Sequence, residues 1–224
     1  MPDPIIHRDF AQHDPEWYAI KAGKWSASNA ATIMSGLDTS GLASLIQDIA
    51  WERVFGAVDS GFRSDAMERG IALENEARRW YCQTQGTVIE EVGFVSHATV
   101  PMVGWSPDGL RGPRRAIEIK CPLHKAWMAC KKAMKVPAEY RWQCRWAMWV
   151  GQLEALNFVM YHPQPGGLVI PCEVRSEEIE QMTERVAELE KRVAGWVEII
   201  GNSRNTFRPE LPAPTAIDIE GANF

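Results

Sequence analysis

Several features that would classify the chain at once are missing from its sequence. Its five cysteines include no Cys-x-x-Cys pair, which argues against a disulfide framework, a zinc ribbon or a cysteine-held iron–sulfur cluster. No apolar run approaches the roughly 20 residues needed to span a bilayer, and residues 1–10 lack the apolar core of a signal peptide. We therefore expect a cytosolic protein with reduced cysteines and no membrane association.

The chain also lacks net positive charge, which normally counts against a nucleic-acid-binding protein. Its net charge is -5, but the charges are segregated along the sequence. Residues 111–145 contain ten lysines and arginines and two glutamates, whereas residues 173–190 contain seven glutamates. Such segregation suits a protein that draws a polyanion to one surface, and it is also found on ordinary helix surfaces.

Length and hydrophobic patterning predict a single α/β domain. A chain of 224 residues with 46% hydrophobic content can bury one substantial core. Helices are predicted at 15–23, after Ser26, and at 42–55, 65–85, 123–134, 137–151 and 177–200. Strands are predicted at 87–96, 100–105, 116–121, 155–161 and 167–174. This order predicts a mixed sheet flanked by helices, and the proline-rich tail at 201–224 is either an arm packed on a neighbouring subunit or a mobile end.

The segment at 105–120 carries the strongest chemical signal. It reads Trp-Ser-Pro-Asp-Gly and then, after a basic turn, Ile-Glu-Ile-Lys. Glu118 and Lys120 are two residues apart in a predicted strand and so share one face, while Asp108 lies in the turn that leads to this strand. Two carboxylates with a backbone carbonyl form an oxygen cage suited to Mg²⁺, as in metal-assisted phosphodiester hydrolysis. A surface hairpin with solvated charges accounts for the same short pattern.

Two further polar residues can join this site. Glu74 lies in the long helix ahead of the first predicted strand, where it offers a third acid or is one more solvated glutamate of that helix. Gln143 lies in a later helix among Trp142, Trp146 and Trp149. Such a mixture can stack on a nucleic-acid strand, although aromatic residues at this density also build cores.

Taken together, these motifs resemble a known nuclease family. Their order is Gly-x-x-x-Glu at 70–74, Ser-Pro-Asp-Gly at 106–109, Glu-x-Lys at 118–120 and the later Gln143. The chain resembles the PD-(D/E)xK nucleases, and more narrowly the phage lambda exonuclease or YqaJ-type viral recombinase branch. The resemblance begins at Trp17, in Trp-Tyr-x-x-Lys-x-Gly-x-x-Ser-Ala-Ser, and continues to about residue 163.

This resemblance implies a restriction-endonuclease-like fold and a Mg²⁺-dependent 5′→3′ exonuclease. Enzymes of this type degrade one strand of linear duplex DNA from an end, leaving 3′ single-stranded tails for recombination in a phage or prophage. They form ring-shaped homotrimers that work with a single-strand annealing protein. All of these properties are expectations from the resemblance.

The resemblance also implies roles for individual residues at the metal site. Asp108, Glu118 and the Ile119 carbonyl would bind metal, with Asp108 bridging two Mg²⁺ ions that Mn²⁺ can replace. Lys120 would orient or activate the attacking water. Glu74 would support Lys120 or a metal-bound water.

A second set of residues is implied for DNA-end recognition. Ser28, Ser106 and Gln143 would belong to a pocket for the terminal 5′-phosphate. Lys21 stands where the lambda-type motif has arginine, and it keeps the charge but loses the two-pronged hydrogen bonding of a guanidinium. Met67 lies where an apolar wedge would split the end base pair, or it is a buried helix methionine.

Two other functions remain open at this point. A restriction-type or junction-cleaving endonuclease shares the metal cage without the end-binding pocket, and it would cut closed circles. A binding module would retain the fold only as a scaffold, for example to recruit an annealing protein. A scaffold does not need Asp108, Glu118 and Lys120 together, so the residue set favours a nuclease.

Overall fold

The computed structural model describes residues 2–56 and 65–206, without the side chains of 65–67 and 203–206. The helices of these ranges are α1 (Pro15–Lys21), α2 (Ala30–Ile33), α3 (Ser40–Phe55), α4 (Asp65–Gln85), α5 (His124–Ala133), α6 (Ala138–Gly151) and α7 (Ser176–Thr206). The strands are β1 (Ile5–His7), β2 (Trp25–Ser26), β3 (Phe94–Ser96), β4 (Val103–Trp105), β5 (Gly109–Leu110), β6 (Arg115–Lys120), β7 (Ala155–His162) and β8 (Gly166–Cys172). Among the helices described, none is sufficiently long and apolar to cross a membrane.

Local sequence signals account for most helix boundaries. Helix α1 begins at Pro15, whose fixed φ suits the first turn. Helix α3 is capped by the Thr39 hydroxyl, which accepts from the Leu42 amide at 3.4 Å. Helix α4 ends before Gly86, which adopts φ +59°. Helix α7 extends to Thr206, six residues into the segment predicted as a tail, while 207–224 lie outside the described residues.

The α/β class is confirmed, but hydrogen bonding divides the strands into two four-stranded sheets. One sheet has the order β1-β3-β4-β2 and the other β5-β6-β7-β8, and each contains one parallel pair. Both edges of β4 are occupied, by β3 and β2, so β5 has to pair elsewhere. The sequence pattern missed β1, β2 and β5 because they are too short to show a period, and it extended β3 upstream to residue 87.

Strand β6 lies between two layers of the core. Ile117 and Ile119 are buried in a small cluster with Ala77 and Tyr81 of α4. The opposite face of β6 meets α6, where Glu118 contacts Gln143. The predicted division of β6 into an apolar and a charged face is therefore correct, and the charged face is turned into the protein rather than toward open solvent.

Candidate active site

Asp108 lies in the turn between β4 and β5. It directly precedes Gly109, the first residue of β5, which pairs with β6. Its Oδ2 accepts a hydrogen bond of 2.5 Å from the Ile119 amide. The carboxylate thus bonds to β6 next to the residues of β5 that pair with this strand. In a strand, the N–H and C=O of one residue point to the same edge. The Ile119 carbonyl therefore points to the edge where Asp108 lies.

Glu118 is the buried centre of the cluster, with 1% of its surface exposed. Its Oε1 accepts from Lys120 Nζ at 2.6 Å and from Gln143 Nε2 at 2.6 Å. Its Oε2 is buried and has no hydrogen-bond partner in the described structure. Since buried carboxylate oxygens are normally paired, this oxygen is suited to a ligand such as a cation.

Glu74 of α4 joins the cluster through a residue that sequence reasoning passed over. Arg78 donates from Nη2 to Glu74 Oε1 at 2.6 Å and from Nε to the Asp108 carbonyl at 2.9 Å. Arg78 is buried, with 8% of its surface exposed. The sequence signal that could have identified it is its position one helical turn after Glu74, which places both side chains on one face.

The electrostatics of the cluster indicate a shortage of positive charge. Burial raises the pKa of Asp108 well above its usual range, Glu118 raises it further, and Lys120 opposes both. Burial also raises the pKa of Glu74, against the charges of Arg78 and Lys120. For Lys120, burial lowers the pKa, but Glu118 and Asp108 outweigh this effect and raise it overall. Buried carboxylates in this situation are stabilised by a bound cation.

The residues present fit a divalent cation bound by few protein ligands. Among the described side chains, no group of three or more His, Cys, Asp or Glu residues could hold a metal. The candidate ligands are two carboxylates, Asp108 and Glu118, and the Ile119 carbonyl. Mg²⁺ is commonly held by one or two carboxylates while it keeps several waters. The unpartnered Oε2 of Glu118 supports this fit.

Two of the residues predicted to bind the 5′-phosphate, Lys21 and Ser106, contact Trp17. Trp17 Nε1 donates to Ser106 Oγ at 2.9 Å, and Lys21 Nζ lies 4.4 Å from the centre of the Trp17 ring. Burial lowers the pKa of Lys21, with the charge of Glu52 opposing it. Lys21 and the Ser106 hydroxyl therefore both contact the indole of Trp17, the lysine at its ring and the serine at its N–H.

Ser28 follows a strand that is paired with the strand before Ser106. Strands β2 and β4 are parallel, with Ser26 opposite Gly104, so Ser28 and Ser106 follow the same ends of neighbouring strands. Ser28 is exposed, and its hydroxyl lies 2.8 Å from that of Ser26.

Two predicted DNA contacts have other outcomes. Gln143 lies in the carboxylate cluster, where it donates to Glu118, a candidate metal ligand. The side chain of Met67, the predicted wedge, lies outside the described residues.

A cleft of about 380 Å³ borders the cluster. Glu74, Arg78 and Pro107 lie on its wall, together with Arg8 and His13. His13 has φ +74°, and its ring lies 5.0 Å from that of Trp17. The acidic cluster is therefore bordered by open space on the side of Glu74.

The chain is similar in structure to solved proteins that are described as exonucleases. The alkaline exonuclease LHK-Exo from Laribacter hongkongensis matches with a TM-score of 0.78 and 26% identity, over 86% of this chain and 99% of that chain. The same enzyme in complex with dAMP matches equally well. A phage-related exonuclease from Haemophilus somnus 129PT has a TM-score of 0.59 and 16% identity, over 80% of this chain and 96% of that chain, which shows a common fold.

A comparison with curated proteins gives no match. The family model of the YqaJ-like viral recombinase domain matches residues 16–154. The match spans more than half of the chain and includes Lys21, Glu74, Asp108, Glu118 and Gln143. This chain belongs to the YqaJ-like viral recombinase family.

Proposed function

We propose that this protein is a Mg²⁺-dependent 5′→3′ exonuclease that degrades one strand of linear duplex DNA. The family match and the likeness to LHK-Exo support a nuclease. The observation that carries the proposal is the joint contact of Lys120 and Gln143 with Glu118, beside Asp108. A buried acid pair with an adjacent lysine is the equipment of metal-assisted phosphodiester hydrolysis.

The metal ligands in this proposal are Asp108, Glu118 and the Ile119 carbonyl. When bound, Mg²⁺ supplies charge neutralisation at the phosphate and lowers the pKa of a coordinated water. Asp108 would also help to hold a second ion, and Mn²⁺ would be able to replace Mg²⁺. Gln143 holds the Glu118 carboxylate in one orientation through its 2.6 Å hydrogen bond.

Lys120 orients the attacking water by donating a hydrogen bond from its ammonium group. Its neighbours Glu118 and Asp108 favour the protonated form, so donation rather than proton removal suits the structure described. Glu74 lies close enough to influence Lys120 electrostatically, and its carboxylate can accept a proton from the water.

The preference for 5′-phosphorylated ends is assigned to Lys21, Ser28 and Ser106. The indole N–H of Trp17 occupies an acceptor position of the Ser106 oxygen, which leaves the Ser106 hydroxyl hydrogen free to donate to a phosphate. Lys21 supplies a point charge. We further propose a cytosolic homotrimer that works with a single-strand annealing protein, in keeping with the resemblance described above.

The deciding experiment is Mg²⁺-dependent digestion of linear duplexes labelled on one strand, with and without a 5′-phosphate, beside a closed circular duplex. We expect progressive loss from phosphorylated 5′ ends, with circles left intact. Lys120→Ala should reduce the rate about 10²- to 10⁴-fold, and Asp108→Ala should abolish cleavage while both proteins stay folded. Cleavage of circles would support an endonuclease, and no cleavage with any divalent metal would support a binding module.

A further inference from the structure

Arg78 bonds to groups from three separate parts of the chain. From α4 it reaches the Asp108 carbonyl in the turn before β5, at 2.9 Å. It also contacts Glu91, in the segment that precedes β3, at 2.8 Å. Within its own helix it bonds to Glu74 at 2.6 Å and to Asn75 at 2.7 Å.

These bonds use the planar geometry of the guanidinium. Nε is directed to the Asp108 carbonyl, Nη1 to Asn75 and Glu91, and Nη2 to Glu74. A rigid fork of donors holds several acceptors at fixed mutual positions, whereas the ammonium of lysine is a single point. The side chain of Arg78 is only 10% exposed and that of Glu74 is 30% exposed, so solvent screens this pair weakly. The side chain of Glu91 is 65% exposed, so its pair with Arg78 is screened more strongly.

Asp108 is held from two directions as a result. Its carbonyl is fixed by Arg78 on α4, and its carboxylate by the Ile119 amide on β6. Glu74 is fixed by the same guanidinium. One side chain therefore links Glu74 to the backbone of Asp108, whose carboxylate the Ile119 amide holds. A small Mg²⁺ or Mn²⁺ site tolerates little error in ligand position.

We propose that Arg78 is a positioning residue, which holds Asp108 and Glu74 in the arrangement that divalent-metal binding requires. In this role it acts through its bonds to Asp108 and Glu74 rather than as a metal ligand. The proposal rests on the function proposed above, because it assumes that Asp108 is a metal ligand. Partners that hold metal-ligating carboxylates typically contribute 10- to 100-fold to metal affinity or activity.

The test is calorimetric titration of the DNA-free protein with Mn²⁺ alone. Arg78→Gln removes the fork and the charge, and Arg78→Lys keeps the charge without the fork. We expect both to weaken Mn²⁺ binding about 10- to 100-fold. Arg79→Gln is the matched control, since Arg79 is the next residue of α4 and is exposed; it should bind Mn²⁺ like the wild type.

Cleavage assays separate positioning from a general structural role. Arg78→Lys should lower kcat and raise the Mg²⁺ concentration needed, with little change in KM for DNA ends. A purely structural role predicts a lower melting temperature with unchanged Mn²⁺ affinity in the folded protein. Mn²⁺ affinity within about twofold of the wild type in either folded variant would overturn the proposal.

Asn75→Ala covers the case in which neither Arg78 variant folds. It removes one anchor of the guanidinium and leaves Arg78 in place. We expect weaker Mn²⁺ binding, and unchanged affinity would overturn the proposal. If the wild type binds Mn²⁺ in an Arg78-dependent manner but cleaves no DNA, the proposed nuclease function is contradicted, while the role of Arg78 in metal binding stands.

Discussion

Gln143 and Lys120 donate to the same oxygen of Glu118, each at 2.6 Å, while the other oxygen has no hydrogen-bond partner among the residues that the structure describes. Two donors from different elements, α6 and β6, thus fix the orientation of a buried carboxylate. The second oxygen of the carboxylate therefore has a fixed orientation, which a metal ligand requires. The arrangement explains why a glutamine belongs to this cluster.

Replacement of Gln143 tests this orientation. In Gln143→Ala, Glu118 keeps its bond to Lys120 but can rotate, so we expect a loss of about 10- to 100-fold in the cleavage rate. The effect should appear in kcat at saturating DNA, measured by digestion of a labelled linear duplex. Gln181→Ala, an exposed position on α7, is the control, and equal rates for the two variants would contradict the assigned role.

Metal binding should stabilise the fold, because it resolves the repulsion between buried carboxylates. At 100 times its Kd, a metal that binds only the folded protein adds about 2.7 kcal/mol to the free energy of unfolding. We expect this gain in the wild type and its loss in Asp108→Asn and Glu118→Gln, measured by denaturant unfolding with Mg²⁺ or with a chelator. A full Mg²⁺ effect in both variants would place the metal elsewhere. Glu184→Gln, at an exposed position of α7, should behave as the wild type.

Lys21 should set the strength of 5′-phosphate selection. A guanidinium can donate two parallel hydrogen bonds to a phosphate, and one hydrogen bond to a charged group contributes about 1.5–3 kcal/mol. Lys21→Arg should therefore increase the preference for phosphorylated over unphosphorylated ends by about tenfold or more, and Lys21→Ala should reduce it. Paired digestion rates on the two ends measure this, with Lys191→Ala as a control. Unchanged preference in Lys21→Ala would remove Lys21 from the pocket.

Glu190 should stabilise the protein in a pH-dependent manner. It accepts from both terminal nitrogens of Arg53, at 2.6 and 2.8 Å, and from the Trp25 indole at 2.6 Å. Burial raises the pKa of Glu190, but these partners outweigh it and lower the pKa overall. A carboxylate with a lowered folded-state pKa contributes stability above its unfolded pKa and loses it as the pH falls through the folded value.

Glu190→Gln should accordingly lower the free energy of unfolding at neutral pH by about 1–2 kcal/mol. This value is kept small because the Glu190 side chain is 33% exposed, and solvent weakens its interaction with Arg53. The difference from the wild type should shrink below about pH 4. Urea unfolding across this pH range measures it, with Glu198→Gln as the exposed control. A difference that grows on acidification would contradict the assigned charge state.

The sequence alone determined the features that depend on local physics. The period of two along β6 placed Glu118 and Lys120 on one face, and Pro15, Gly56 and Gly86 marked helix ends, because these effects act between residues close in the chain. The order of the motifs also indicated the family and the three acidic residues of the candidate site, Glu74, Asp108 and Glu118.

Only the tertiary structure decided how those residues meet. Arg78 bonds to Asp108 across 30 positions, and Gln143 to Glu118 across 25. Such contacts depend on where α4 and α6 pack against β6, which no local period encodes. The division into two sheets has the same origin, because β4 already has neighbours on both edges and the pairing of β5 is decided by which strand remains available.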